Sequence, residues 1–309
     1  MIKRTLYFTN PAYLSMEHAQ LVVKLKNASN KAGQESSREE EIRTIPIEDI
    51  GMIVLENRQI TITTSLIAAL IDNNAAVVTC DNRSMPTGLL MPLSGNTIQN
   101  ERFRAQLDAS LPLRKQLWQQ TVSMKIANQG KTLKKNTDAE CGCMEAWSKE
   151  VRSGDPMNLE ARAAAYYWKN LFLSFPNFTR DREGNYPNNF LNYGYAILRA
   201  IVARSLVGSG LLPTLGIHHQ NRYNAYCLAD DIMEPYRPFV DQLVIQLMKD
   251  YPNEELLTKE IKAKLLTIPT LDVTINGKRS PLMVAATTTT ASLAKCFTGE
   301  LRKIDYPEI

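Results

Sequence analysis

A chain of 309 residues, 44% of them hydrophobic and 22% charged, has the composition of a globular protein long enough for two domains that each bury a core. No apolar run approaches the roughly 20 residues needed to cross a bilayer, and the first residues, MIKRTLYFTNPAYLSMEH, lack the apolar core and cleavage site of a signal peptide, so the expectation is a cytoplasmic protein without a membrane span. The net charge of +4 is too mild to announce a nucleic-acid partner by itself.

The first hundred residues read as strand-rich. RTLYFTN, AQLVVKLKN, RTIPIEDIGMIVLE, QITITT and AAVVTCDN are short β-branched or alternating runs broken by Asn, Gly, Asp and Pro. SLIAALIDNN has helical spacing and an Asn-rich stop, and the polar segment Ala28 to Glu41 reads as a hairpin loop. LMPLSGN, residues 90–96, supplies linker punctuation. From about Asn100 the period becomes helical, with basic residues between Arg102 and Lys135 that read either as one positive face or edge or as solvated helix faces. Cys141-Gly-Cys143 is the only close pair among five scattered cysteines and lacks a zinc site's second pair or nearby histidine, so free thiols are expected. SGDPMNLEARAAAYYWKNLF predicts a helix with Asp155 as its cap and Pro156 at its first position. Further helices are expected over NNFLNYGYAILRAIVARSLVGSG, from near Asp230 through YRPFVDQLVIQLMKDY, and over TTTTASLAKCFTGELRK after a strand-like TLDVTING. The fold class expected is α+β, with a small β-rich domain over residues 1–95 and a larger all-α domain over residues 100–309.

Chemistry concentrates in a few residues. Glu160 shares a helix face with Ala163, Ala164, Tyr167 and Leu171, and an inward carboxylate there needs a cation such as Arg199 or Arg204, or hydrogen-bond donors. Asp230, Asp231 and Glu234 cluster within one helical turn, where capping and dipole complementation compete with a functional role; for Asp230 capping is the better reading. His218 and His219 point to opposite sides of an extended segment, so at most one faces a site. One imidazole with two or three carboxylates suits Mg²⁺ or Mn²⁺ better than zinc, and such sites commonly act on phosphate esters. His-Glu-x-x-His, the phosphate-binding Gly-x-x-x-x-Gly-Lys-Ser/Thr, Gly-x-Gly-x-x-Gly and Gly-x-Ser-x-Gly are all missing from the sequence. A structural nucleic-acid-binding subunit and a phosphoesterase acting on small substrates stay open beside a nuclease.

The segments GDPMNLEARAAAYYWKNLF, YPNNFLNYGYAILRAIVARSLVGSGLLPTLGIHH and LADDIMEPYRPFVD, in that order, resemble the CRISPR-associated endonuclease and integrase that installs new spacers in antiviral defence, the larger subunit of the adaptation complex. The form is most similar to that of type II systems, built around a single large effector nuclease. The resemblance implies a homodimer that joins a small companion subunit and binds double-stranded DNA, whose 3′-hydroxyl ends attack phosphodiester bonds of the repeat. It implies Glu160, His219 and Glu234 as ligands of Mg²⁺ or Mn²⁺, with His219 reached through Gly216 of a Gly-x-x-His pattern and Asp231 assisting as a fourth catalytic residue. Arg237, Lys125 and Lys131 would hold phosphates, and the domain at residues 1–95 would serve dimerisation and partner binding.

Overall fold

The computed structural model describes residues 3–25, 42–175 and 178–309, and the chain forms two compact units, Met1–Leu93 and Ser94–Ile309. The loop expected over Ala28 to Glu41 lies outside the described residues.

The first unit contains β1 (Arg4–Phe8), β2 (Ala12–Glu17), β3 (Gln20–Leu25), β4 (Ile42–Pro46), β5 (Ile50–Leu55), β6 (Thr61–Ile62), α1 (Thr64–Asp72), β7 (Ala76–Cys80) and β8 (Pro86–Leu90). One sheet runs β1-β5-β7-β8, parallel except for β8; the other runs β4-β3-β2-β6. β5, IGMIVL, is apolar along its length because it lies between two parallel neighbours and is covered on both faces. In β2, Ala12 and Leu14 turn inward while Tyr13 is exposed, and they meet Leu21, Ile53, Leu66, Leu70 and Val77 in one core. The side chain of Thr63 caps α1 by accepting the Leu66 N–H.

Two strands escape the sequence patterns. β2 follows Pro11 and offers only a short alternation; β8 starts with Pro86 and holds Gly88, both poor strand residues. β8 tolerates them because it is an edge strand, paired on one side only.

The second unit contains α2 (Gln99–Leu107), α3 (Leu111–Asn136), α4 (Gly142–Glu150), α5 (Leu159–Leu171), α6 (Asn188–Gly208), α7 (Cys227–Met233), α8 (Arg237–Asp250), α9 (Lys259–Leu265), β9 (Asp272–Ile275), β10 (Lys278–Pro281) and α10 (Leu282–Phe297). It is therefore mainly rather than wholly helical: TLDVTING supplies β9 of an antiparallel hairpin whose turn, Asn276-Gly277, takes positive φ at both residues. α6, buried along most of its length, packs against α7, α8 and α10, while α3 packs against α4, α5 and α8. Asn128 on α3 donates from its amide to the carbonyls of Pro235 and Pro307, which fixes α3 to the segment carrying Glu234.

Two expected helix starts shift. The helix expected from Pro156 begins at Leu159, after a turn in which Asp155 and Asn158 adopt positive φ. The one expected from near Asp230 begins at Cys227, breaks into a 3-10 turn at Glu234–Tyr236 and resumes as α8. Pro235 and Pro238 each lack an N–H, so a continuous α-helical ladder cannot pass through them.

Candidate active site

Glu160 sits in the first turn of α5. Asp155 caps that helix by reaching forward, its two carboxylate oxygens each accepting an N–H at 2.9 Å, one from Leu159 and one from Glu160 itself. Capping by Asp155 thus holds as expected, although Pro156 lies in the preceding turn. The cation at the Glu160 side chain is a lysine, while Arg199, one of the expected partners, pairs with Asp230. Glu160 Oε1 accepts a 2.7 Å hydrogen bond from Lys125 Nζ in the middle of α3.

The same ammonium lies 2.6 Å from Glu234 Oε2, and Arg237 Nε lies 2.9 Å from Glu234 Oε1. Glu234 is buried, which opposes its charge, yet Arg237 and then Lys125 outweigh burial and hold its pKa down at about 2. Burial likewise opposes the Lys125 charge, and Glu234 and Glu160 overcome it, leaving the ammonium's pKa raised. In the DNA-free chain, buried Lys125 and half-buried Arg237 pair with carboxylates, and the exposed Lys131 pairs with Glu308 at 3.4 Å. The signal for Lys125 was a polar stripe on α3, Thr121, Lys125, Asn128 and Thr132, set at helical spacing among buried apolar residues.

Asp231, fully buried on α7, organises the double histidine. Its carboxylate accepts the backbone N–H groups of His218 and His219 at 2.9 and 3.3 Å and meets His219 Nδ1 at 2.5 Å. The hydrogen bond that His219 donates to the Asp231 carboxylate is the main cause raising the His219 pKa; burial opposes it, and Glu234 and Glu160 add to the rise. With Nδ1 engaged, Nε2 is the nitrogen left to act on a ligand or substrate. His218 stacks flat on Trp118 with ring centroids 4.1 Å apart, while His219 meets the same indole edge-on at 5.8 Å, so the rings lie side by side in a bend rather than on opposed sides, and Asp231 singles out His219.

Gly216 makes this loop possible. A Cβ there would collide with the His219 carbonyl oxygen and lie 2.8 Å from Asp231 Oδ2. Asp230 corrects another expectation: it does not cap backbone but binds Arg199 Nε and the Asn224 amide through its two oxygens, each at 2.7 Å. A cleft of about 440 Å³ adjoins His219, lined by Arg114, Gln220, Arg222 and Asn224 among others and by no acidic residue. The cysteines are free thiols.

Among the described residues no three His, Cys, Asp or Glu side chains form a ready metal cage. Glu160 and Glu234 nevertheless direct oxygens at one cationic point, where Lys125 Nζ lies. The buried Oε2 of Glu234 has no hydrogen bond there, only that ion pair. Two hard oxygens converging on a cation, with an imidazole whose other nitrogen is fixed by a carboxylate, fit Mg²⁺ or Mn²⁺ chemistry.

Comparison with known proteins places these features in a family. Residues 6–267 match the family model described as CRISPR associated protein Cas1. A CRISPR-associated endonuclease Cas1 from Neisseria meningitidis serogroup C (strain 8013) is 35% identical over 311 aligned positions, covering 100% of this chain and 97% of the relative. Among solved structures, a casposase bound to integration product superposes with a TM-score of 0.77 at 20% identity, over 99% of this chain and 93% of the casposase chain. A chain of a Cas6-RT-Cas1–Cas2 complex gives 0.72 at 19% identity, over 97% of this chain and 35% of the other. A fold of strands followed by packed helices, shared over nearly the whole length, and a full-length relative at 35% identity establish that the chain belongs to the Cas1 family of CRISPR-associated proteins.

Proposed function

We propose that the chain is a divalent-metal-dependent DNA endonuclease and integrase, joining short double-stranded DNA fragments to a CRISPR repeat by attack of 3′-hydroxyl ends on phosphodiester bonds. The carrying observation is the convergence of Glu160 and Glu234 on one cationic point beside a histidine anchored by Asp231. The name of the Neisseria relative, an endonuclease, and the integration product in the casposase structure support the same reading.

Glu160, Glu234 and the Nε2 of His219 would hold Mg²⁺ or Mn²⁺, and the ion would supply charge neutralisation at the attacked phosphate. The chain's own groups do the rest. Asp231 fixes the tautomer and direction of His219, so the imidazole needs no reorganisation when substrate arrives. Arg237 keeps Glu234 ionised and in place. Arg114 and Arg222, in a cleft free of acids, suit the adjoining DNA phosphates and give affinity without sequence information.

The Cas1–Cas2 complex among the structural neighbours supports a small companion subunit for this chain. The reading includes a homodimer, with residues 1–95 serving dimerisation and partner contact and residues 100–309 holding the catalytic centre. No described helix is long and apolar enough to cross a membrane.

The test is joining of a labelled short duplex to a plasmid carrying a repeat, with the companion subunit and Mg²⁺ or Mn²⁺. Joined product is expected with free 3′-hydroxyl ends and not with 3′-dideoxy ends or with excess chelator. Equal joining under all three conditions overturns the reading.

A further inference from the structure

Lys125 stands where an ion held by Glu160 and Glu234 would stand. Its Nζ is 2.7 Å from Glu160 Oε1 and 2.6 Å from Glu234 Oε2, and its side chain is only 10% exposed. A buried ammonium is stable only beside anions, and a buried carboxylate such as Glu234 facing a half-buried one such as Glu160 repels it unless a cation separates them. Lys125 meets both requirements without any metal.

It cannot meet them with one. Mg²⁺ binds carboxylate oxygens at about 2.1 Å, so an ion on these two oxygens would lie against the ammonium, cation on cation. The ammonium has to leave, and the neighbouring carboxylates are already committed: Asp231 to His219, Asp230 to Arg199 and Asn224, and the second oxygen of Glu234 to Arg237. A displaced Lys125 therefore needs an anion from outside this cluster. Its four-carbon stem lets the head swing while the helix stays packed, and a phosphodiester at the site supplies that anion.

We propose that Lys125 is an exchangeable internal cation, holding Glu160 and Glu234 together until a divalent ion and a substrate phosphate arrive, so that ion loading and DNA binding are coupled. The proposal rests on the reading of Glu160 and Glu234 as ion ligands. Coupling is reciprocal: DNA tightens the ion and the ion tightens DNA. Lys125 acts through the carboxylates it holds and is a positioning residue.

The experiment measures Mn²⁺ binding to the full chain by the electron paramagnetic resonance signal of free Mn²⁺, with and without a short duplex, subtracting Mn²⁺ held by the duplex alone. In the DNA-free protein, Lys125→Met should bind Mn²⁺ about 10-fold more tightly than wild type, because the competing charge is gone, and the tightening by DNA should shrink several-fold. A parallel melt should show the variant less stable than wild type without Mn²⁺ and regaining more of its melting temperature on Mn²⁺ addition. Where Lys125→Met does not fold, Lys125→Gln carries the same comparison. Equal or weaker Mn²⁺ binding by the variant overturns the proposal, as does a DNA effect of wild-type size. If wild type binds Mn²⁺ equally with and without DNA, the coupling alone fails. If neither protein binds Mn²⁺ at all, the reading of Glu160 and Glu234 as ion ligands fails with it.

Discussion

The histidine loop is held at single-residue precision, and substitution there should separate positioning from folding. Gly216→Ala places a methyl group against the His219 carbonyl and the Asp231 carboxylate. The loop must shift by a fraction of an ångström or more, and strand transfer should fall about 100-fold, a size usual for such misplacement, while the melting temperature of the exposed loop's parent helices changes little. Unchanged strand transfer would show that the loop's position is not critical. Asp231→Asn keeps the shape but removes the charge that holds Nδ1, and about 10- to 100-fold loss is expected, as for other partners of ligating histidines. Equal activity of this variant and wild type would contradict the assigned role of Asp231. At this scale the sequence displayed the acids and the double histidine but concealed their partners. Which cation meets Glu160 depends on helices 35 residues apart coming together, and local spacing carries no information about that pairing. Arg199, one of the two expected partners, was drawn instead to Asp230.

Helix ends decide where the carboxylates fall. Asp155 accepts two N–H groups at the start of α5, and Asp155→Ala should cost about 1–2 kcal/mol in urea unfolding, from the lost cap and from an Ala placed at positive φ. Asp155→Asn, which tolerates that φ and keeps one acceptor, should cost less; equal costs would contradict the capping account. A second tie joins three helices: Tyr167 on α5 and Tyr195 on α6 both donate hydroxyl hydrogen bonds to Asp241 on α8. Burial pushes Asp241 up to about 6, the two tyrosine hydrogen bonds only partly opposing it. The folded chain then keeps a proton that the unfolded chain releases near pH 4. Stability from this group is complete below that value and is lost as pH rises toward about 6. Melting temperatures of wild type and Asp241→Asn, measured from pH 4 to 7, should converge or cross in this window, the wild type losing ground with rising pH; parallel curves would contradict the assignment. Element type was legible where periodicity was long, as in α3 and α6. The break between α7 and α8 was not, because Pro235 is acceptable in the first turn of a helix starting near Asp230, whereas α7 starts at Cys227 and leaves Pro235 past its first turn, where the missing N–H ends the ladder.

Each compact unit of the whole chain has its own apolar interior, the first built around Leu14, Ile53 and Leu66 and the second around α6. Residues 94–309 expressed alone should melt cooperatively and bind Mn²⁺, yet fail to integrate DNA if residues 1–95 carry the dimer and companion contacts. Full integration by that fragment would remove the proposed role of the first unit. The α+β class could be read from the change of period near Asn100, whereas the hairpin of β9 and β10 shows only as one short strand-like run, since LysArgSerPro carries almost no strand signal. The central claim is that Glu160, His219 and Glu234 form one centre for strand transfer, and its most direct test is the joining rate of a labelled duplex in Mn²⁺ for Glu160→Gln, His219→Ala and Glu234→Gln. All three variants should stay folded and lose at least about 100-fold, the loss expected when a group acting in the transition state is removed; wild-type rates in these folded variants would contradict the account.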